Sequence, residues 1–153
     1  MNIRKSQKCD SIGSEGVPWK ISVYRTQMKV PVVQKWINSL PDDVRDELED
    51  VISYLRFLER EAWVRPQFET LDKGLCEIRW KSASGNYRLY GYFGPARRQF
   101  SGYSGSQKKK NKDVDTEKQA QSRKNLFDRG IGELDDLEFN TTKAKDSGSS
   151  SAK

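Results

Sequence analysis

The 153 residues are enough for one compact core with ragged ends and too few for two ordinary domains. The formal net charge of +6 points to an anionic partner. Histidine is absent, which excludes histidine general bases, histidine-dependent serine or cysteine triads and most zinc sites. The two cysteines, Cys9 and Cys76, form no CxxC or metal spacing, so no disulfide framework is implied; no cofactor is expected.

Residues 1–16 are polar and aperiodic and are expected to form a disordered extension. They hold charge without a signal peptide's apolar stretch, and no later run nears the roughly 18 apolar residues that cross a bilayer. A soluble cytoplasmic protein without a membrane partner is the expectation. Trp19 to Arg25 alternates Trp19, Ile21 and Val23 with Lys20, Ser22 and Tyr24, the period of a half-buried strand. Val32, Val33, Trp36, Ile37 and Leu40 fit one face of a short helix. Pro41 then opens a second, with Asp42, Asp43, Asp46 and Glu47 at its positive end and Val44, Leu48, Val51, Ile52, Leu55 and Leu58 at spacings of three and four. The acidic face of this helix is expected to be solvated surface.

Three strands follow, Gly74 to Lys81, Tyr87 to Phe93 and Arg98 to Gly105, separated by turn residues at Ser84–Gly85–Asn86 and Gly94–Pro95. A last helix is expected over Thr116 to Asp128, with Thr116 as its N-cap and Ala120 and Phe127 as its packing residues. The pattern β-α-α-β-β-β-α implies one α+β domain over residues 17–130, with an antiparallel sheet packed against two helices. Residues 131–153 are expected to be a disordered polar tail.

Charge is unevenly distributed. Leu71 to Gly130 carries net +8, whereas Pro41 to Glu61 carries net −5, so the second half is the candidate binding half. Alternation puts Arg88, Tyr90 and Tyr92 on one face of their strand, opposite Tyr87, Leu89, Gly91 and Phe93. Likewise Glu77 and Arg79 oppose Cys76, Ile78 and Trp80. Arg79 and Arg88 with Tyr90 and Tyr92 suit the phosphates and bases of single-stranded RNA. A plainer reading makes Glu77 and Arg79 a cross-strand ion-pair ladder and leaves the tyrosine hydroxyls in water. The run KKKNK at Lys108 to Lys112 follows the last strand, where loops often present functional groups.

The succession GLCEIRW, SGNYRLYGYF and KKKNKDVDTEKQA resembles the RelE/ParE toxin superfamily, nearest to its HigB-like and phage-derived branch. The resemblance spans about Trp19 to Asp128 and rests on Gly74, Leu75, Glu77, Arg79 and Trp80, then Tyr87 and Arg88, then Lys108, Lys109 and Lys112. It implies the toxin of a type II toxin–antitoxin system: an endoribonuclease that cuts mRNA in the ribosomal A site, held in check by an antitoxin protein of helix-turn-helix type. By the same resemblance Arg79 and Arg88 hold phosphate oxygens, Lys108 and Lys109 line the same groove, and Lys110 and Lys112 extend it. Relatives place tyrosine, histidine or aspartate near the start of the last helix. Here that stretch is DVDTEKQ, without tyrosine or histidine, leaving Glu77 or a lysine of lowered pKa as the proton acceptor. The tract SGYSGS is also more polar and glycine-rich than the apolar strand usual in the family. Two other functions fit the same fold: a non-catalytic RNA- or ribosome-binding protein, and a ParE-like gyrase inhibitor.

Overall fold

The computed structural model describes residues 17–109 and 113–139. In chain order these form β1 (Lys20–Arg25), α1 (Val32–Asn38), α2 (Asp42–Arg56), β2 (Phe68–Thr70), β3 (Cys76–Ser82), β4 (Gly85–Phe93), β5 (Gln99–Lys108), α3 (Val114–Asp128) and β6 (Glu133–Asp136). The class is α+β, with one six-stranded sheet ordered β2-β3-β4-β5-β1-β6. The order contains two strands that periodicity did not reveal, β2 and β6. The sheet is mixed and not wholly antiparallel, because β5 leaves the β2–β5 meander running in the direction of β1 and pairs with it in parallel.

Each helix forms where apolar spacing and end charges agree. In α2, Asp42 and Asp43 occupy the first turn and Arg56 the last, each complementing the helix dipole. Val44, Leu48, Ile52 and Leu55 turn inward and are at most 4% exposed, each contributing roughly 1.5–3 kcal/mol of burial. They meet the apolar alternates of β3 and β4. Trp80 donates its indole N–H to the Val44 carbonyl at 3.1 Å, stacks on Tyr87 and meets Trp36 edge-on. α1 and α2 therefore cover one face of the sheet. α3 packs on the other through the buried Ala120 and through Phe127, whose ring lies 6.3 Å from that of Tyr103.

Three local expectations change. Thr116 is not the N-cap of the last helix: α3 begins at Val114 after Asp113, and Thr116 lies inside its first turn, its carbonyl accepting the Ser104 hydroxyl at 2.7 Å. β5 runs on to Lys108, so that lysine belongs to a strand end, not to a loop. Residues from 131 onward are not all tail. Arg25 and the β1 backbone pair with Glu133–Asp136, and the Tyr24 hydroxyl donates to the Ile131 carbonyl at 2.9 Å. The acidic text of β6 conceals a strand because its partners are cations on the neighbouring strand. Among the described residues no helix is long and apolar enough to cross a membrane.

Candidate nucleic-acid site

The strand register answers whether the polar alternates of β3 and β4 share a face. Glu77 lies opposite Tyr90, Arg79 opposite Arg88 and Lys81 opposite Asn86. Across the next pairing Tyr90 lies opposite Ser104, Arg88 opposite Ser106 and Asn86 opposite Lys108. Directly opposed residues project to the same side of a sheet. Three rungs result on the α3 face: Glu77–Tyr90–Ser104, Arg79–Arg88–Ser106 and Lys81–Asn86–Lys108. Two lysines, Lys81 and Lys108, thus flank one arginine pair.

The pair is held by carboxylates. Arg79 donates to Glu69 of β2 at 2.9 Å, and its Nε lies 3.6 Å from Glu77. Arg88 lies 3.5 Å from the other oxygen of Glu77 and donates to the Tyr87 carbonyl at 3.1 Å. The side chains of Arg88 and Glu77 are only 8% and 5% exposed, whereas Arg79 is 27% exposed. Burial pushes the Glu77 carboxyl above its ordinary value, against the pull of Arg88 and Arg79. At Glu69 the hydrogen bond from Arg65 holds the carboxyl below the usual range. The ion pairs of the plainer reading are present, and they join the same two arginines.

Beside this cluster Asp113, just before α3, accepts from the Tyr90 hydroxyl at 3.3 Å and from the hydroxyl of Ser106, the residue opposite Arg88. Burial and the Asp113 charge drive the Tyr90 phenol far above its ordinary pKa, so it donates as a neutral hydroxyl. Its ring is fully buried and offers no surface for stacking a base. Tyr92 is half-buried: Tyr103 packs against it in a T-shaped pair at 5.8 Å, and the Lys124 ammonium sits 5.2 Å from its ring centre. α3 covers both rings, which alternation within a strand does not register. Tyr90 is therefore closed to stacking, and Tyr92 is half-buried beside Tyr103 and Lys124.

A cleft of about 340 Å³ opens at the outer edge of β3 beyond its pairing with β2, lined among others by Arg79, Arg88, Lys81 and Asn86. Of the residues expected to act, Arg79, Arg88, Glu77 and Lys108 come together. Lys109 follows the strand end and is exposed. Lys110 and Lys112 lie outside the described residues. Three contributors escaped the sequence reading. Lys81 was detectable as the alternate after Arg79. Asp113 was present in DVDTEKQ as an aspartate before the last helix. Glu69 gave no signal, because β2 is three residues long.

No curated protein matches the chain. The family described as phage derived protein Gp49-like (DUF891) matches residues 35–125, a span running from α1 through most of α3 and containing every rung of the site. With more than half of its length matched, the chain belongs to this Gp49-like family, a RelE/ParE-like toxin family of toxin–antitoxin systems.

Proposed function

We propose that the chain is a ribosome-dependent endoribonuclease that cuts mRNA in the A site, with the face bearing Arg79 and Arg88 as its catalytic surface. The observation that carries this reading is the direct opposition of the two arginines on one face, flanked by Lys81 and Lys108. Arginine's planar fork engages two phosphate oxygens at once, and a preorganised cationic cluster stabilises the charge that grows on a phosphorane. In the proposed reaction the ribose 2′-oxygen forms a bond to the adjacent phosphorus while the bond to the 5′-oxygen breaks. The 2′-OH proton passes to a base, and the 5′-oxygen leaves with a proton, giving a 2′,3′-cyclic phosphate and a 5′-hydroxyl.

Asp113 suits the base better than Glu77. Glu77 is pinned beneath two guanidiniums, which fits it to position them, whereas Asp113 sits at the rim beside the residue opposite Arg88. Lys108 and the exposed Lys109 stand at the same end as cationic partners of phosphate. A neighbouring antitoxin protein would hold the toxin in check. A non-catalytic RNA-binding role draws support from one feature, the neutralisation of Arg79 by Glu69 and Glu77 in the free chain.

Induction in a bacterium followed by mapping of mRNA 5′ ends tests the proposal. Codon-phased cuts should appear, vanish in Arg88→Ala and fall by roughly a hundredfold or more in Asp113→Asn, the scale of a lost proton-transfer group. Stalled translation without new ends would favour the binding role. Undiminished cutting by Arg79→Ala and Arg88→Ala would dispose of the site.

A further inference from the structure

The cleft at the open end of β3 has walls of two kinds. Val51 of α2 and Pro66 supply apolar surface, while Glu47 and Gln67 supply hydrogen-bonding groups. Arg79, Arg88 and Lys81 line it as cations. Its volume of about 340 Å³ falls within the roughly 300–1,000 Å³ of small-molecule sites. Arg88 is 7% exposed, and its Nε has no hydrogen-bond partner among the described residues. That Nε is ion-paired with Glu77 at 3.5 Å, and the guanidinium's remaining N–H groups keep capacity for an arriving phosphate oxygen.

We infer that this cleft receives one nucleobase of the RNA, its ring against Val51 and Pro66 and its polar edge on Glu47 and Gln67, while the attached phosphate lies on Arg79 and Arg88. The inference rests on the phosphate clamp proposed above and adds a specificity element that the clamp lacks, because phosphate contacts carry no sequence information. Glu47 belongs to the acidic face of α2 that composition assigned to solvent. Its carboxylate accepts and does not donate, so it favours bases with an exocyclic amino group over uracil. The amide of Gln67 accepts and donates, so it engages either kind of edge.

The test uses the full chain, labelled with ¹⁵N, titrated with inorganic phosphate and separately with the 5′-monophosphates of guanosine, adenosine, cytidine and uridine. Phosphate should shift signals of Arg79 and Arg88 alone. The amino-bearing nucleotides should also shift Glu47, Val51 and Gln67 and bind more tightly than uridine monophosphate. Glu47→Gln, at an exposed position, should keep the fold and phosphate binding yet reduce that preference, on the order of tenfold for a hydrogen bond to a charged group. Val51→Ala should weaken all four nucleotides and spare phosphate. If phosphate and all four nucleotides bind alike and Glu47→Gln changes nothing, the base site is refuted while the clamp stands. Absence of binding by phosphate and nucleotides together would overturn both.

Discussion

At the scale of single residues, Glu69 and Glu77 flank Arg79 and titrate in opposite senses. Burial raises the Glu77 carboxyl, so the folded chain holds this proton more tightly than the unfolded chain does. The stability it contributes is full below the ordinary carboxylate range and is lost as pH rises through the raised value. Glu69, lowered by its hydrogen bond from Arg65, contributes stability above the ordinary value and loses it on acidification. The melting temperature of the wild type relative to Glu77→Gln should therefore fall as pH increases from about 4 to about 7. A flat or rising difference, measured by thermal scans across that range, would count against the raised value. Glu69→Gln should free Arg79 for phosphate and tighten binding of a short single-stranded RNA several-fold in a fluorescence titration. Weaker binding would instead make Glu69 a residue that positions Arg79. The same distinction separates what was legible at this scale. Arg79, Arg88 and Glu77 stand out by alternation, but whether a tyrosine on that face is open or covered depends on α3, which begins only at Val114, well past the strand's end at Phe93.

At the scale of elements, β5 and β6 depart furthest from their sequence. The tract SGYSGS looks like a frayed strand, yet its small residues match close neighbours. A methyl on Gly105 would overlap the Trp36 ring, and one on Gly91 would overlap the Ser101 carbonyl next to the irregularity in the β4–β5 pairing. Gly91→Ala should cost about 1–3 kcal/mol in urea unfolding, the usual price of overpacking a tight contact. β6 covers the outer edge of β1, and Leu134, Leu137 and Phe139 pack against the core. Truncation after Gly130 removes all three. At roughly 1 kcal/mol for each half-buried apolar side chain, the loss should be about 2–4 kcal/mol. An unchanged melting temperature would mean that the domain ends where composition first put its boundary.

At the scale of the whole molecule, the candidate site is a short run of the sheet's α3 face carrying four cations, with a cleft at the edge of β3 that reaches the acidic side of α2. Binding of single-stranded RNA should weaken with salt, the logarithmic slope being about −0.7 for each phosphate neutralised, or roughly −3 for the four cations. Arg88→Ala should reduce the slope by about one contact, and a slope near zero would exclude the cationic face as the RNA surface. Much of this was determined by sequence alone. The α2 periodicity, the polar and apolar alternates of β3 and β4, and the motifs around Arg79 and Arg88 are local, since helix and strand repeats are written in neighbouring residues. Tertiary structure decided the rest: the parallel pairing of β1 with β5, the recruitment of β6, the burial of Tyr90 and the meeting of Asp113 with Ser106. Those depend on contacts between segments distant in the chain, where register and packing decide which side chains meet, and no repeat along a single segment encodes them.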